Sequence, residues 1–181
     1  MENNINLLQC GFKVLKNLCK GLKKNFTHPT KAVQSLVYSK LKDTKAMIVD
    51  EVQETLRIML QSITIEDLLD DIKDGLKDKA PNMRLQTLKF LEKILTTSKP
   101  TDKKLINTMK ILTTSFVDMN QDGSSEVRDK SIDILCKIKG NYGMNFFGDK
   151  LKKLPQKKLI TIQNYINPNR RDDLEMMDIE E

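Results

Sequence analysis

Tryptophan is absent from this 181-residue chain, and histidine occurs once, as His28. A lone His beside Pro29 reads as a solvated or helix-capping residue in a turn, not as a catalyst. The chain carries no Gly-rich phosphate loop, no Cys/His ligand cluster and no nucleophile motif. Paired carboxylates such as Asp70 and Asp71 read as solvated charge on a helix face. The expectation is therefore no enzyme, no catalytic residue and no cofactor. Three cysteines (Cys10, Cys19, Cys136) are too few and too scattered for a disulfide framework, which fits a reducing, intracellular setting. Cys10 and Cys19 lie on opposite sides of any helix that holds both. Gly and Pro are scarce, at 7 and 5. No uncharged apolar run approaches the roughly 18 residues of a membrane span. The opening MENNINLLQC lacks the basic-then-apolar pattern of a signal peptide. Neither a membrane nor a leader is expected.

Charge is plentiful instead. Charged residues make up 31% and hydrophobic residues 39%, with a net charge of +6. The charge is uneven, because residues 167–181 hold two Arg and six acids. Residues 1–166 therefore carry +10, which favours an acidic partner. The last fifteen residues, NPNRRDDLEMMDIEE, are expected to form an acidic disordered tail after a helical domain spanning 1–166.

Apolar residues recur at helical spacing nearly throughout. Leu8, Phe12, Leu15, Leu18, Cys19 and Leu22 form one expected stripe, and Val33, Leu36, Val37 and Leu41 a second after Pro29. A third helix from about Lys45 turns Ile48, Val52, Leu56 and Met59 inward. Thr64, with Asp67 three residues on, resembles a capping box for the helix holding Ile65, Leu68, Leu69, Ile72 and Leu76. Pro81 suits a first helical turn ahead of Met83, Leu88, Leu91 and Leu95. Thr101 or Asp102 caps a helix with Leu105, Met109, Leu112 and Phe116 inward, and another from about Ser125 uses Val127, Ile132, Leu135 and Ile138. Gly148 and Pro155 break the remainder into shorter helices.

The helix junctions repeat. LKDTKAMIVDEVQETL from Leu41 and LKDKAPNMRLQTLKFL from Leu76 begin 35 residues apart. VDMNQDGSSEVRDKSIDIL continues the scheme, with Val127 placed 44 residues after Met83. A helix-pair period of this size predicts an all-α fold: an α-solenoid of antiparallel HEAT-type pairs, about four to five repeats.

The third junction also imitates an EF-hand. Asp118, Asn120, Asp122 and Gly123 match the start of a calcium loop, but its twelfth position is Asp129, one methylene short of the bidentate Glu, and its eighth is Ser125. Arg128 would also set a cation beside the ion. No metal site is expected. Gly123 turns the chain, and Ser124 or Ser125 caps the next helix.

Stacked pairs align their tight turns along one rim, and here that rim is basic: Lys42 and Lys45, then Lys77, Lys79 and Arg84, then Arg128. Singly, each cation is ordinary solvated charge. Arg84 and Arg128, however, both fall just inside a helix start, where the dipole opposes a cation. That matched placement suggests a role beyond helix stability.

The segments CGFKVLKNLCKGLKKNF, LLDDIKDGLKDKAPNMRLQTLKFLEKILTTSKP, SSEVRDKSIDILCKIKGNYG and MNFFGDKLKKL resemble the TOG domain of the microtubule-polymerase and cytoskeleton-associated proteins. The resemblance spans roughly Leu8 to Ile166 and rests on the K-N-P-x-V-K, T-L-x-F/W-L and P-E-V-R-D patterns. Ala80, Met83, Arg84 and Ser125 depart from the commonest residues at their positions. The resemblance implies a flat HEAT-repeat module whose turns bind tubulin, with Lys42, Lys45, Lys79, Pro81, Arg84, Ser125 and Arg128 as tubulin-binding residues. It implies that the chain begins inside the second helix of the second repeat and lacks the Trp-bearing first turn that contacts β-tubulin. The partner would then be tubulin, mainly its α-subunit side, and microtubule ends. The location would be the cytoplasmic cytoskeleton: spindle pole, centrosome or microtubule. An apolar helix face left uncovered at the front is a further implication. The rivals are a generic HEAT scaffold for another protein and, more weakly, nucleic-acid binding through KGLKK and KLKKLPQKK, which lack interleaved aromatics.

Overall fold

The computed structural model describes residues 5–166, and the expected tail at 167–181 lies outside them. Every regular element among the described residues is helical. The chain divides into two compact units, Met1–Phe90 and Leu91–Glu181.

In the first unit, α1 (Ile5–Leu22) packs on α3 (Ala46–Met59), and α2 (Thr27–Ser39) packs on α3 and α4 (Leu69–Lys77). α2 starts earlier than expected. His28 and Pro29 lie in its first turn, where the N–H that proline lacks has no helical partner in any case. Thr27 Oγ1 stands 2.7 Å from the carbonyls of both Lys24 and Ser62, which anchors that start. The Thr64–Asp67 capping box is present: Asp67 Oδ2 accepts from Thr64 N and Thr64 Oγ1, each at 2.8 Å. Lys31 adds a 2.6 Å ion pair to the same carboxyl. Burial raises the Asp67 pKa, but the Lys31 and Thr64 bonds outweigh it and bring the carboxyl from 3.8 down to about 2.

The core of this unit closes where Tyr38 meets the first half of α5 (Pro81–Thr97). Tyr38 is buried, donates to Thr87 Oγ1 at 3.3 Å and sets its ring edge-on to Phe90. Burial pushes its phenol pKa well up. Gly75 makes this approach possible, because a Cβ there would stand 2.5 Å from Thr87 Oγ1 and 3.0 Å from the Tyr38 ring.

In the second unit, α6 (Lys103–Asp118) and α8 (Gln156–Gln163) pack on α7 (Ser125–Tyr142). Asp102 is the N-cap of α6 and accepts from Lys104 N and Leu105 N. Gly143, at φ 78, ends α7. Short 3-10 turns at Met144–Phe146 and Gly148–Lys153 lead to α8, the interrupted helices expected there. Asn141 donates to Leu95 O at 3.0 Å, and Lys130 pairs with Glu92 at 3.1 Å.

Among the described residues three complete hairpins result, α2–α3, α4–α5 and α6–α7, with α1 before them in the chain and α8 after them. The inward stripes expected in α3, α5, α6 and α7 are all buried. α1 and α2 differ. Phe12, Cys19 and Val37 are buried, whereas Leu18, Leu22 and Leu36, also expected inside, are exposed. α1 is apolar on two faces, and only the one against α3 is packed.

Candidate functional site

The bend of each hairpin is built in the same way. An aspartate precedes the second helix, and its Oδ1 accepts the backbone N–H two residues later. Asp43 takes Lys45 N at 2.9 Å, Asp78 takes Ala80 N at 2.8 Å, and Asp122 takes Ser124 N at 2.9 Å. This is the side-chain-to-backbone turn for which Asp is favoured. The second helices then begin at Ala46, Pro81 and Ser125. Two residues further on, Ile48, Met83 and Val127 plug the core and fix the pitch of each bend.

Six residues after the aspartate, the second and third bends place an arginine. Arg84 Nη1 donates to the carbonyls of Asp78 and Lys79, at 2.6 and 3.1 Å. Arg128 Nη1 does the same to Asp122 and Gly123, at 2.7 and 3.2 Å. Each guanidinium thus folds back over its own turn. Charge-assisted bonds to two carbonyls offset the unfavourable helix-dipole position. The arginines therefore have a structural task at the bend, and they keep the positive charge there. The first bend has buried Val49 at this position. Its corresponding carbonyl, that of Asp43, accepts instead from Asn82 Nδ2 of the second bend at 3.2 Å. This bond ties the first two bends together inside the first unit.

Lys42, Lys45, Lys79, Pro81 and Ser125 are exposed, and Arg84 and Arg128 are half-buried. Lys42, Lys45, Lys79, Pro81 and Arg84 belong to the first two bends, while Ser125 and Arg128 belong to the bend in the second unit. The rim is not uniformly basic, since Lys42 shares a shallow cleft with Asp71, Asp74 and Asp78. Ser124 holds the N-cap position of α7, but its side chain makes no capping bond. The Asp122 carboxylate holds the turn through Ser124 N. Asn82 was not singled out by sequence; its partner lies 39 residues away, and no local pattern signals it.

The calcium-like stretch takes a different shape from an ion-wrapping loop. Asp118 is the last residue of α6, Asn120 lies in a 3-10 turn over Met119–Gln121, and Asp122 is turned toward Ser124 N. Asp129 faces Lys158 at 3.8 Å. Among the described residues, no group of three His, Cys, Asp or Glu gathers to hold a metal ion. Burial pushes the Cys136 thiol up to about 11, so it is not a nucleophile at neutral pH. No helix among the described residues is long and apolar enough to cross a membrane.

Antiparallel helix pairs with aspartate-pinned, cation-bearing bends define an α-solenoid of the HEAT type. The model of the CLASP N-terminal family matches residues 6–145, and the chain belongs to that family. It is 31% identical over 136 residues to protein mini spindles of Drosophila melanogaster, covering 74% of this chain and 6% of that protein. It is 31% identical over 145 residues to protein MOR1 of Oryza sativa subsp. japonica, covering 78% of this chain and 7% of that protein. The chain thus spans less than a tenth of the length of these relatives. Among solved structures, one from work on microtubule plus-end tracking by XMAP215, CLIP-170 and EB1 superposes with a TM-score of 0.75 at 26% identity. The match covers 100% of this chain and 71% of that one. The MAST/Orbit N-terminal domain superposes with a TM-score of 0.74 at 17% identity, covering 98% and 75%, and shares the fold.

Proposed function

We propose that this chain binds tubulin and acts in microtubule dynamics and organisation, as a docking module and not an enzyme. Its basic bends would meet the acidic tubulin surface, mainly on the α-subunit side, through Lys42, Lys45, Lys79, Pro81, Arg84, Ser125 and Arg128. The observation that carries this reading is the repeated clamp. Arg84 and Arg128 each hold a guanidinium against the carbonyls of a rigid bend, so a cation is pre-positioned with little side-chain entropy left to lose. Membership of the CLASP N-terminal family supports it, as do relatives named mini spindles and centrosomal protein 224. The location that follows is the cytoplasmic cytoskeleton at spindle pole, centrosome or microtubule. Because the contacts are ionic and few, binding by this chain alone is weak. Promoting growth would need several linked modules acting by avidity.

A pull-down comparing the wild type with Arg84→Glu plus Arg128→Glu tests this, with tubulin and a single-stranded RNA as parallel baits. Loss of tubulin alone supports the proposal. Retained tubulin capture removes it, and capture of RNA lost in step with tubulin points to a general polyanion site.

A further inference from the structure

The second unit makes one more turn after its bend. The 3-10 run Gly148–Lys153 passes through Leu154 and Pro155 into α8. Residues 150–158, KLKKLPQKK, hold five lysines and no acid. Lys158 faces Asp129 at 3.8 Å, so this turn lies beside the third bend, next to Arg128. Lys152 pairs with Asp149 at 2.8 Å, but both side chains are largely exposed and such a pair is worth little. Lys150 Nζ donates to Lys110 O. Lys153 and Lys157 are exposed, and no bond to a described residue holds either ammonium as the carbonyls hold Arg84 and Arg128. Lys157 also stands in the first turn of α8, which has no acidic residue, so the helix dipole opposes its charge. Ile160, one turn further along the same face, is 45% exposed.

Charge and reach identify the occupant. Residues 172–181, DDLEMMDIEE, hold six acids, four apolar residues and no cation. α8 runs alongside α7 in the same direction, because Lys158 faces Asp129 while Lys139 Nζ reaches Tyr165 O at 2.6 Å. Ile166 therefore stands at the end of α8 away from the lysines. The way back from Ile166 to Lys157 is about 14 Å at helical rise. The six residues from Ile166 to Asp172 span about 20 Å when extended. Acids from Asp172 onward can thus meet Lys157 and Lys153. A tether of this length sets an effective concentration on the order of mM, which a second copy in free solution does not reach.

We propose that residues 172–181 of this chain dock on the lysine turn ahead of α8, with carboxylates on Lys153 and Lys157 and apolar side chains against Ile160. Opposite charge selects the segment, and the exposed isoleucine adds apolar contact. Because the turn adjoins Arg128, the docked segment sets negative charge beside the third bend and screens it from an acidic partner. The contact lies within the chain and does not rest on tubulin binding.

The test uses the full chain in two assays. Carbodiimide coupling joins an amine to a carboxylate in direct contact. It should link acids of residues 172–181 to Lys153 or Lys157 within the monomer, as read by mass spectrometry. In the second assay a fluorescein-labelled decaglutamate peptide stands in for an acidic partner. Changing the six acids to amides (Asp172→Asn, Asp173→Asn, Glu175→Gln, Asp178→Asn, Glu180→Gln and Glu181→Gln) should tighten its binding at least tenfold by anisotropy. In a Lys153→Glu plus Lys157→Glu background, with an unchanged circular dichroism spectrum, the same six changes should give no gain. A gain that persists there reports only net charge and overturns the proposal, as does the absence of a gain in the wild-type background. Links confined to other lysines equally overturn it. So do links found only between two chains, which would make the occupant the segment of a second copy. Neither assay contains tubulin, so the tubulin reading can fail while this contact stands.

Discussion

The second bend and the first solve the same problem by different chemistry. Both need a partner for the aspartate carbonyl that the turn leaves outside the helix. The second bend supplies it from within, through Arg84 to Asp78 O at 2.6 Å. The first has Val49 where an arginine would stand and borrows Asn82 from its neighbour at 3.2 Å. The second bend is thus closed locally and carries its own cation, and the third, with Arg128, follows it. The first has the same aspartate turn, but its carbonyl is met from the neighbouring bend. A local clamp survives if its neighbour moves, whereas a borrowed one reports on the packing of adjacent repeats.

The largest expected effect breaks the second bend from below. Gly75 lies three residues before Asp78, where the first and third bends have Lys40 and Met119. Its Cβ would collide with Thr87 Oγ1 at 2.5 Å. Gly75→Ala should therefore destabilise the chain by about 2 kcal/mol, within the range for overpacked cores. A urea unfolding curve gives the value, and a shift of the midpoint within error would contradict the packing described here.

Next come the carbonyl partners themselves. Arg84→Met and Asn82→Ala should each cost about 1 kcal/mol, the usual net worth of a hydrogen bond. The two should nevertheless differ in where the loss appears. Hydrogen exchange should speed at Lys79 and Ala80 in the first variant, and at Thr44 and Lys45 in the second. If Asn82→Ala leaves the first bend unchanged, the borrowed partner has no energetic role.

A separate effect, seen only in acid, lies away from the bends, at the capping box ahead of α4. Asp67 is held down to about 2 from 3.8. A depressed carboxyl contributes stability that is fully present above the unfolded value and is lost as pH falls through the folded one. Wild type should therefore lose thermal stability progressively from about pH 4 toward pH 2. In Asp67→Asn that part of the decline should be absent. Parallel melting curves over that range would refute the assignment.

Much of this was legible in the sequence. The stripes read in α3, α5, α6 and α7 are all buried, although Ile58, Phe90, Ile94 and Ile134, outside those stripes, are buried as well. The capping box at Thr64, Pro81 as a first helical residue and the matched junctions followed from local chemistry. α1 and α2 were harder because period alone cannot tell which of two apolar faces is packed. Leu18, Leu22 and Leu36 therefore came out on the wrong side. The arginine placement was seen, but its local cause was not. A guanidinium reaching back six residues to a carbonyl is a three-dimensional fact, though the recurring Asp-to-Arg spacing of six could have flagged it. Asn82 could not have been found, since its bond depends on which repeat lies alongside.

Because Arg84 and Arg128 also hold their bends, reversing them changes shape as well as charge. Lys45 and Lys79 are exposed at the first and second bends, so Lys45→Glu plus Lys79→Glu alters charge while leaving the two arginine clamps in place. The most direct measurement is the tubulin Kd of wild type and this double variant from low to high salt. The account predicts weak wild-type binding that falls steeply as salt rises, and at least tenfold weaker binding by the variant at low salt. Wild-type binding indifferent to salt, or a variant that binds as well as wild type, would contradict it.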